Sequence, residues 1–429
     1  MRRVVLSLLA VLLLAVAAGS AMPAAAAGGV FDDVPATTPF AADIEWLAAE
    51  GITDANAQFF RPDGAVTRQA MAVFLHKFAN DGAVAPGCTE DAYADVPAGS
   101  AYCGSIAWLA DAGITSGTAS GGFAPLAPVT RAAMAAFLYK LDSGGTAPEA
   151  CTVAPYADVP VTSPFCGSID WLWTEGVTTG ALGGKFAPGG TVTRGMMAAF
   201  LHRFHLSRTA PLGVDVSHPQ CPETLPTDRA FGIVGVNQGL PRFFNPCLTS
   251  QLTWAAGSSG ATAQPKVQLY VNTANPGKAS NVWPCADVTA ACARQYGIAR
   301  AEEDLQHVSG AGHDPADHVW WLDVEEGNSW ETTSLGKIRN RAVLEGMVER
   351  FRSAGVSTIG LYSTAHQWGA IIGTVPTGSN LRGLPSWLAG ATGIGPARRM
   401  CTLPALTPGG TVELVQFIED GFDRNYVCG

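Results

Sequence analysis

Residues 28–205 write one unit three times, and this repetition constrains the fold more than any other feature of the chain. Phe31-Asp32-Asp33-Val34-Pro35 returns as Tyr93-Ala94-Asp95-Val96-Pro97 and as Tyr156-Ala157-Asp158-Val159-Pro160. Ile44-Glu45-Trp46-Leu47 returns as Ile106-Ala107-Trp108-Leu109 and Ile169-Asp170-Trp171-Leu172, and Gly51-Ile52-Thr53 as Gly113-Ile114-Thr115 and Gly176-Val177-Thr178. Val66-Thr67-Arg68 recurs as Val129-Thr130-Arg131 and Val192-Thr193-Arg194, so the three arginines stand 63 residues apart and the register is strict. The units span about 28–80, 90–142 and 153–205. Units this short bury little apolar surface alone, so the three must pack into one body.

Each unit reads as helix, loop, helix. Ile44, Trp46 and Leu47 form an apolar stripe that stops at Gly51, a glycine placed to cap a helix C-terminus. A Phe-x-Pro turn follows at Phe60-Arg61-Pro62, Phe123-Ala124-Pro125 and Phe186-Ala187-Pro188. Thr67, Thr130 and Thr193 then stand where an N-cap belongs, opening a second helix such as Arg68 to Phe78. These motifs resemble the S-layer homology (SLH) repeat, although Ala70, Ala133 and Met196 replace the glutamate of its Thr-Arg-Ala-Glu box. The resemblance implies a pseudo-trimer that holds a secondary cell-wall polymer. It makes Arg68, Arg131 and Arg194 candidate polymer contacts, with Trp46, Trp108 and Trp171 near them, though a Trp at helical spacing more often serves a core.

The first residues belong to export. Arg2 and Arg3 precede an apolar run from Val4 to Ala18, and small residues end at Ala25-Ala26-Ala27. Residues 1–27 therefore read as a secretory signal peptide, cleaved before Gly28. No later apolar run spans a bilayer, so the expected mature chain is exported, at the cell wall or extracellular surface, with no transmembrane segment. Lys and Arg number 26 against 36 Asp and Glu, a balance that disfavours nucleic acid as a partner. Ten cysteines in an exported chain read as disulfides. Cys88 and Cys103 match Cys151 and Cys166 in the repeat register and pair on that basis. Cys221, Cys247, Cys285, Cys292, Cys401 and Cys428 keep fifteen connectivities open, neighbour pairing being one. No CxxC or His cluster argues for a metal, and no cofactor is implied.

After a connector at 206–212, residues 213–429 read as a second domain, long enough for a (β/α) barrel. The stretch His318-Val319-Trp320-Trp321-Leu322-Asp323-Val324-Glu325-Glu326-Gly327 is an apolar run that ends in three acids and a glycine, as a buried strand does when it surfaces. Alternation puts Asp323 and Glu325 on one face. Further strands are expected at 213–217, 230–237, 265–272, 358–363, 386–389 and 411–417, with 319–325 making seven. The clearest helix runs from Leu335 to Ala354, with Ile338, Val343, Leu344, Met347, Val348 and Phe351 on its apolar stripe. Asp215 ends the first strand and Asp423 lies just past the last. A parallel barrel brings all its strand C-termini to one mouth, so Asp215, Asp323, Glu325 and Asp423 should converge there.

The second domain resembles the family 25 glycoside hydrolases, the lysozymes that cleave peptidoglycan. The motifs that carry the resemblance are Gly213-Val214-Asp215-Val216-Ser217, Asp323-Val324-Glu325, Leu361-Tyr362-Ser363, Trp387-Leu388-Ala389, Gln416-Phe417 and Asp423-Arg424-Asn425. Strand two, at Gly232 to Gln238, and the insertion from Asn275 to His313 depart from the family pattern. The fold class expected is thus multidomain: an α-helical SLH-type triple repeat, then an α/β TIM-like barrel. The resemblance implies hydrolysis of the β-1,4 bond after N-acetylmuramic acid, with peptidoglycan as the substrate. Glu325 would donate the proton, kept protonated by the Asp323 charge, and Asp323 would orient the 2-acetamido group or stabilise the oxocarbenium-like transition state. Asp215 and Asp423 would tune charge and position. Tyr362, Trp387, Gln416 and Asn237 are the candidate sugar contacts, His218 and His366 candidates for the rim, and Glu326 a capping residue. A non-catalytic glycan-binding protein on the same barrel, or a hydrolase of another glycan, keeps the same features.

Overall fold

A computed structural model describes residues 30–181, 183–276 and 289–428. The expected leader at 1–27 lies outside the described residues, as does Cys285. Each repeat gives two helices: α1 (Ala41–Ala49) and α2 (Arg68–Ala79), α3 (Cys103–Asp111) and α4 (Arg131–Asp142), α5 (Cys166–Thr174) and α6 (Arg194–Thr209). The expected threonines cap the second helices, since the side chains of Thr67, Thr130 and Thr193 accept from the N–H of Ala70, Ala133 and Met196. The aspartate of each opening box holds the turn between the helices. Asp33 accepts from the N–H of Phe60 and Arg61, Asp95 from Phe123 and Ala124, and Asp158 from Phe186 and Ala187. Arg61, Ala124 and Ala187 have φ of 60°, 55° and 57°, and these paired bonds hold the backbone in that left-handed region.

The three units close into a ring. Val66 N–H donates to the Val192 carbonyl, Val129 to Val66, and Val192 to Val129, at 2.8–2.9 Å. Around this triangle each box arginine reaches one unit onward: Arg68 Nε donates to the Phe123 carbonyl, Arg131 to Phe186 and Arg194 to Phe60, each at 2.7 Å. The guanidinium also lies over the same phenylalanine ring, at 4.5–4.7 Å. Cys88–Cys103 and Cys151–Cys166 pair as the register indicates, and Cys221–Cys247 and Cys401–Cys428 follow neighbour pairing.

The second body is a closed eight-stranded barrel: β1 (Gly213–Val216), β2 (Phe231–Gly235), β5 (Val267–Asn272), β6 (Val319–Asp323), β7 (Ile359–Ser363), β8 (Ser386–Ala391), β9 (Val412–Glu419) and β10 (Phe422–Val427). A small hairpin of β3 (Asn237–Gln238) and β4 (Leu240–Phe244) follows β2. Helices α7 (Leu248–Ala256), α8 (Ala290–Gly310), α9 (Ser334–Ser353), α10 (Ala365–Ile371) and α11 (Ile394–Met400) alternate with the strands. Seven strands run parallel; the eighth, β10, turns back and pairs antiparallel with both β9 and β1. The barrel therefore departs from a full set of β/α units, and no helix intervenes in the chain between β9 and β10. The expected apolar stripe of α9 starts a turn late. Ile338 is exposed, and the buried position nearby belongs to Asn340, whose amide donates to the Glu331 and Ile371 carbonyls.

Two apolar layers form. Phe231, Ile233, Trp321, Tyr362, Trp387 and Leu414 fill the interior, while Val214, Val234, Leu269, Trp320 and Leu361 face the helices. The repeat ring has its own separate core around Ile44, Ile106, Ile169 and their neighbours.

Candidate functional site

The sheet register builds the site one tier at a time. Asp215 stands opposite Asp423 across β1 and β10, and Asn425 opposite Gln416 across β10 and β9. On the other side Asn272 stands beside Asp323, Asp323 beside Tyr362, and Tyr362 beside Trp387. Strand β6 ends at Asp323, and Val324 turns into the core, which leaves Glu325 on the same side as Asp323. Asp215, Asn272, Asp323, Glu325, Tyr362, Trp387, Gln416 and Asp423 line a cavity of about 190 Å³ at the barrel mouth, together with Ser217, His218, Gly239 and Tyr270.

All four expected acids thus face one space, along with Tyr362, Trp387 and Gln416. Trp387 is almost wholly buried and forms the floor, edge-on to Trp321 and 4.4 Å from the Tyr362 ring. Asn237 does not reach the cavity. It is fully buried, its Oδ1 accepting from the Asn272 N–H and its Nδ2 donating to the Asn272 carbonyl. Its part is to hold the neighbouring strand, and its side chain, buried and also bonded to Asp304, presents no atom to the cavity. His218 lines the cavity, whereas His366 is exposed, 4.0 Å from the exposed Glu326. Tyr270 and Asn272 were missed in the sequence; neither carries a charge, and both read as ordinary strand residues.

A polar chain fixes Asp215. Tyr362 Oη donates to Gln416 Oε1 at 2.6 Å, Gln416 Nε2 donates to both Asp215 oxygens at 3.1 Å, and Asn425 Nδ2 donates to Asp215 Oδ1 at 2.7 Å. Burial pushes the Asp215 carboxyl well above the usual range and the Asp423 charge adds to this, while the two amides pull the other way. Asp323 is buried with Oδ1 unpartnered, and burial, then Glu325, then Asp215 raise its proton affinity well above the ordinary. Glu325 and Asp423 are raised as well, both chiefly by burial. The Asp423 charge helps hold the proton on Glu325, and Glu325 and Asp323 resist joint ionisation as well. The site can therefore hold a protonated carboxyl beside a carboxylate at higher pH than isolated acids would, the division that acid-assisted cleavage of an acetal needs. Among the described residues no three or more His, Cys, Asp or Glu side chains gather as metal ligands.

In the ring, the candidate tryptophans pack between units. Trp46 stacks on His202 at 4.6 Å, Trp108 meets His76 edge-on at 5.1 Å, and Trp171 meets Tyr139 at 5.5 Å. Arg131 borders a groove of about 470 Å³ with Phe40, Thr178, Gly180, Phe200 and Arg203.

Residues 30–72, 92–135 and 155–198 match the S-layer homology domain, so the chain carries three of them. It is 30% identical over 194 residues to an S-layer protein of Bacillus thuringiensis subsp. finitimus, covering 44% of this chain. The chain spans 22% of the length of that relative. Among solved structures, a muramidase from Trichobolus zukalii covers 51% of this chain and 94% of its own at 18% identity, with a TM-score of 0.35. A bacterial lysozyme from Streptomyces coelicolor covers 52% and 93% at 16% identity and 0.34. A family 25 glycosyl hydrolase from Bacillus anthracis covers 52% and 90% at 14% identity and 0.35.

Proposed function

We propose that the chain is a cell-wall glycoside hydrolase anchored by its repeats, cleaving the β-1,4 bond after N-acetylmuramic acid in peptidoglycan. The observation that carries this reading is the convergence of Asp215, Asp323, Glu325 and Asp423, from three separate stretches of chain, on one cavity where every carboxyl is raised in proton affinity. Glu325 is the least enclosed of the β6 pair and gives its proton to the leaving oxygen. Asp323 lies deeper and stabilises the oxocarbenium-like transition state or orients the 2-acetamido group. Asp215, fixed by Gln416 and Asn425, and Asp423 set the charge around them. Tyr362 and Trp387 offer ring faces to sugar C–H surfaces.

The same reading divides the chain into a secretory leader at 1–27, repeats at 28–205, a connector at 206–212 and the catalytic barrel at 213–429. Each box arginine spends Nε on its neighbour's carbonyl, and Arg131 Nη2 also donates to the Gly180 carbonyl; the charge of Arg68, Arg131 and Arg194 is what the ring offers an anionic secondary cell-wall polymer, with Trp46, Trp108 and Trp171 in the same ring. The mature protein is at the wall or the extracellular surface.

The test is release of reducing sugar and loss of turbidity from purified peptidoglycan. Glu325→Gln should lower turnover by about 10²–10⁴-fold, the worth of a positioned general acid. Wild-type protein that sediments with walls but releases nothing would leave a glycan-binding protein on a hydrolase-like barrel.

A further inference from the structure

In the first two repeats, the glycine that ends the first helix is covered by a second glycine from the same repeat. Gly51 lies against Gly82, and Gly113 against Gly145. Both partners stand fourteen residues after the box arginine, just past the second helix, where α2 and α4 have ended. The third repeat has Arg208 at that place, inside a helix α6 that runs on to Thr209. Arg208 bonds instead to Asp142 and Glu175 at 2.7–2.8 Å, tying α6 to the ends of α4 and α5. Gly176 is left without its glycine, and the barrel supplies one. Gly395, in the first turn of α11, packs against it so closely that a Cβ on Gly176 would stand 2.6 Å from the Gly395 Cα.

The barrel side has a matching need. Because β10 runs antiparallel, no helix follows β9 to cover its outward residues, and the barrel's α11 reaches them only at the strand's far end, through Arg398 over the Tyr426 ring at 5.7 Å and the Cys401–Cys428 bond. Asp423 and Asn425 point into the site, so Arg424 and Tyr426 point out. Arg424 is buried, and Tyr426 shares a cavity of about 380 Å³ with Leu206, Thr209, Ala210 and Pro211 at the end of α6. A second cavity, of about 500 Å³, lies where Arg208 and the connector meet Arg229 and Arg424. Beside the glycine pair, the Arg399 guanidinium of α11 lies 4.2 Å over the Trp173 ring of α5.

We infer that the bare antiparallel face of the barrel is an interaction surface whose partner is the third repeat of the same chain. Gly395 takes the place of the glycine that repeat lacks, and the anchoring ring and the barrel mouth are held as one rigid unit. Because cavities lie along the connector, the seam is concentrated at the glycine contact with Gly393 against Thr174 beside it, the Arg399–Trp173 stack and the strap from Leu206 to Leu212. One added methyl is then enough to part it. Gly395 is the position to use, since it has no left-handed φ and alanine suits a helix better than glycine. An alanine Cβ there would fall within the atoms of Gly176 and 2.6 Å from the Trp173 carbonyl oxygen, so the change helps α11 and harms only the seam.

The experiment uses the intact mature chain and no substrate, so its outcome is independent of the hydrolase reading. Wild type, Gly395→Ala, Arg399→Ala and the control Gly378→Ala, whose added Cβ meets nothing within 4 Å, are compared by scanning calorimetry, small-angle scattering and tryptic cleavage after Arg208. Wild type and control should melt in one transition and scatter as one compact particle. Gly395→Ala should melt in two transitions, gain radius of gyration and be cut at least tenfold faster; Arg399→Ala should move the same way by less. Wild type that already melts in two transitions, or a Gly395→Ala chain that keeps one transition and wild-type scattering, overturns the inference. Should Gly395→Ala not fold, Arg399→Ala decides: wild-type cleavage rate and scattering would overturn it.

Discussion

Asp323 is a buried carboxyl with one unpartnered oxygen, two acids for neighbours and no cation beside it. Its raised proton affinity means that the folded protein keeps a proton that the unfolded chain releases. The stability this gives is complete below the ordinary carboxylate range and is lost as pH rises through the raised folded value. At pH 7 the site is therefore a burden on the fold, and Asp323→Asn should stabilise by about 0.5–2 kcal/mol, a usual size for relieving a functional site. The gain should vanish below about pH 4, where the unfolded carboxyl is protonated too. Melting curves at both pH values check this, and an equal shift at each would remove charge as the cause. A second outcome follows from Asp423, whose charge helps keep the proton on Glu325. Asp423→Asn should lower the Glu325 proton affinity and move the alkaline limb of the pH–rate profile to lower pH; an unmoved limb would assign the donor elsewhere. These acids were legible because each closes or follows an apolar run. Tyr270 and Asn272 were not, since a neutral side chain in strand alternation carries no such mark.

Elements were most legible where a local rule acts alone. The threonine caps and the helix–turn–helix units needed only capping chemistry and period. The eighth strand, Phe422-Asp423-Arg424-Asn425-Tyr426-Val427, hid because its inward positions hold the polar Asp423 and Asn425 of the site, so it reads as a loop. The box arginines illustrate the limit from the other side. Sequence offers them as polymer contacts, while the ring geometry gives each a bond that closes the next unit. Arg131 is the most telling of the three, being buried and stacked on Phe186 as well as bonded to its carbonyl. Arg131→Ala should cost about 2–3 kcal/mol, combining an orphaned buried carbonyl with lost packing of the side-chain stem. Denaturant unfolding would show it as a lower midpoint at unchanged slope. Polymer binding that falls with no loss of stability would show the residue working only on ligand.

At the scale of the whole molecule, repeats and barrel were legible as separate bodies, but the seam between them was not. Nothing local in Gly393-Ile394-Gly395-Pro396 marks a contact, and only the fold reveals that one of its glycines packs on a repeat more than two hundred residues upstream. The two hydrophobic cores stay distinct, so the barrel can fold without the ring. Yet the outer side of β10 faces the end of α6 and the strap across shared cavities, and their loss opens Arg424 and Tyr426 further to solvent. A chain cut to residues 206–429 should therefore keep its turnover on small soluble glycans and melt lower than the single transition of the intact protein. An interface of this kind contributing about 1–3 kcal/mol would lower the midpoint by roughly 3–10 °C. Calorimetry on the two chains makes the comparison, with reducing-sugar release as the check that the shortened barrel is native. If the midpoints coincide while turnover is kept, the ring covers the barrel without stabilising it, and the anchor and the enzyme are joined by the chain alone.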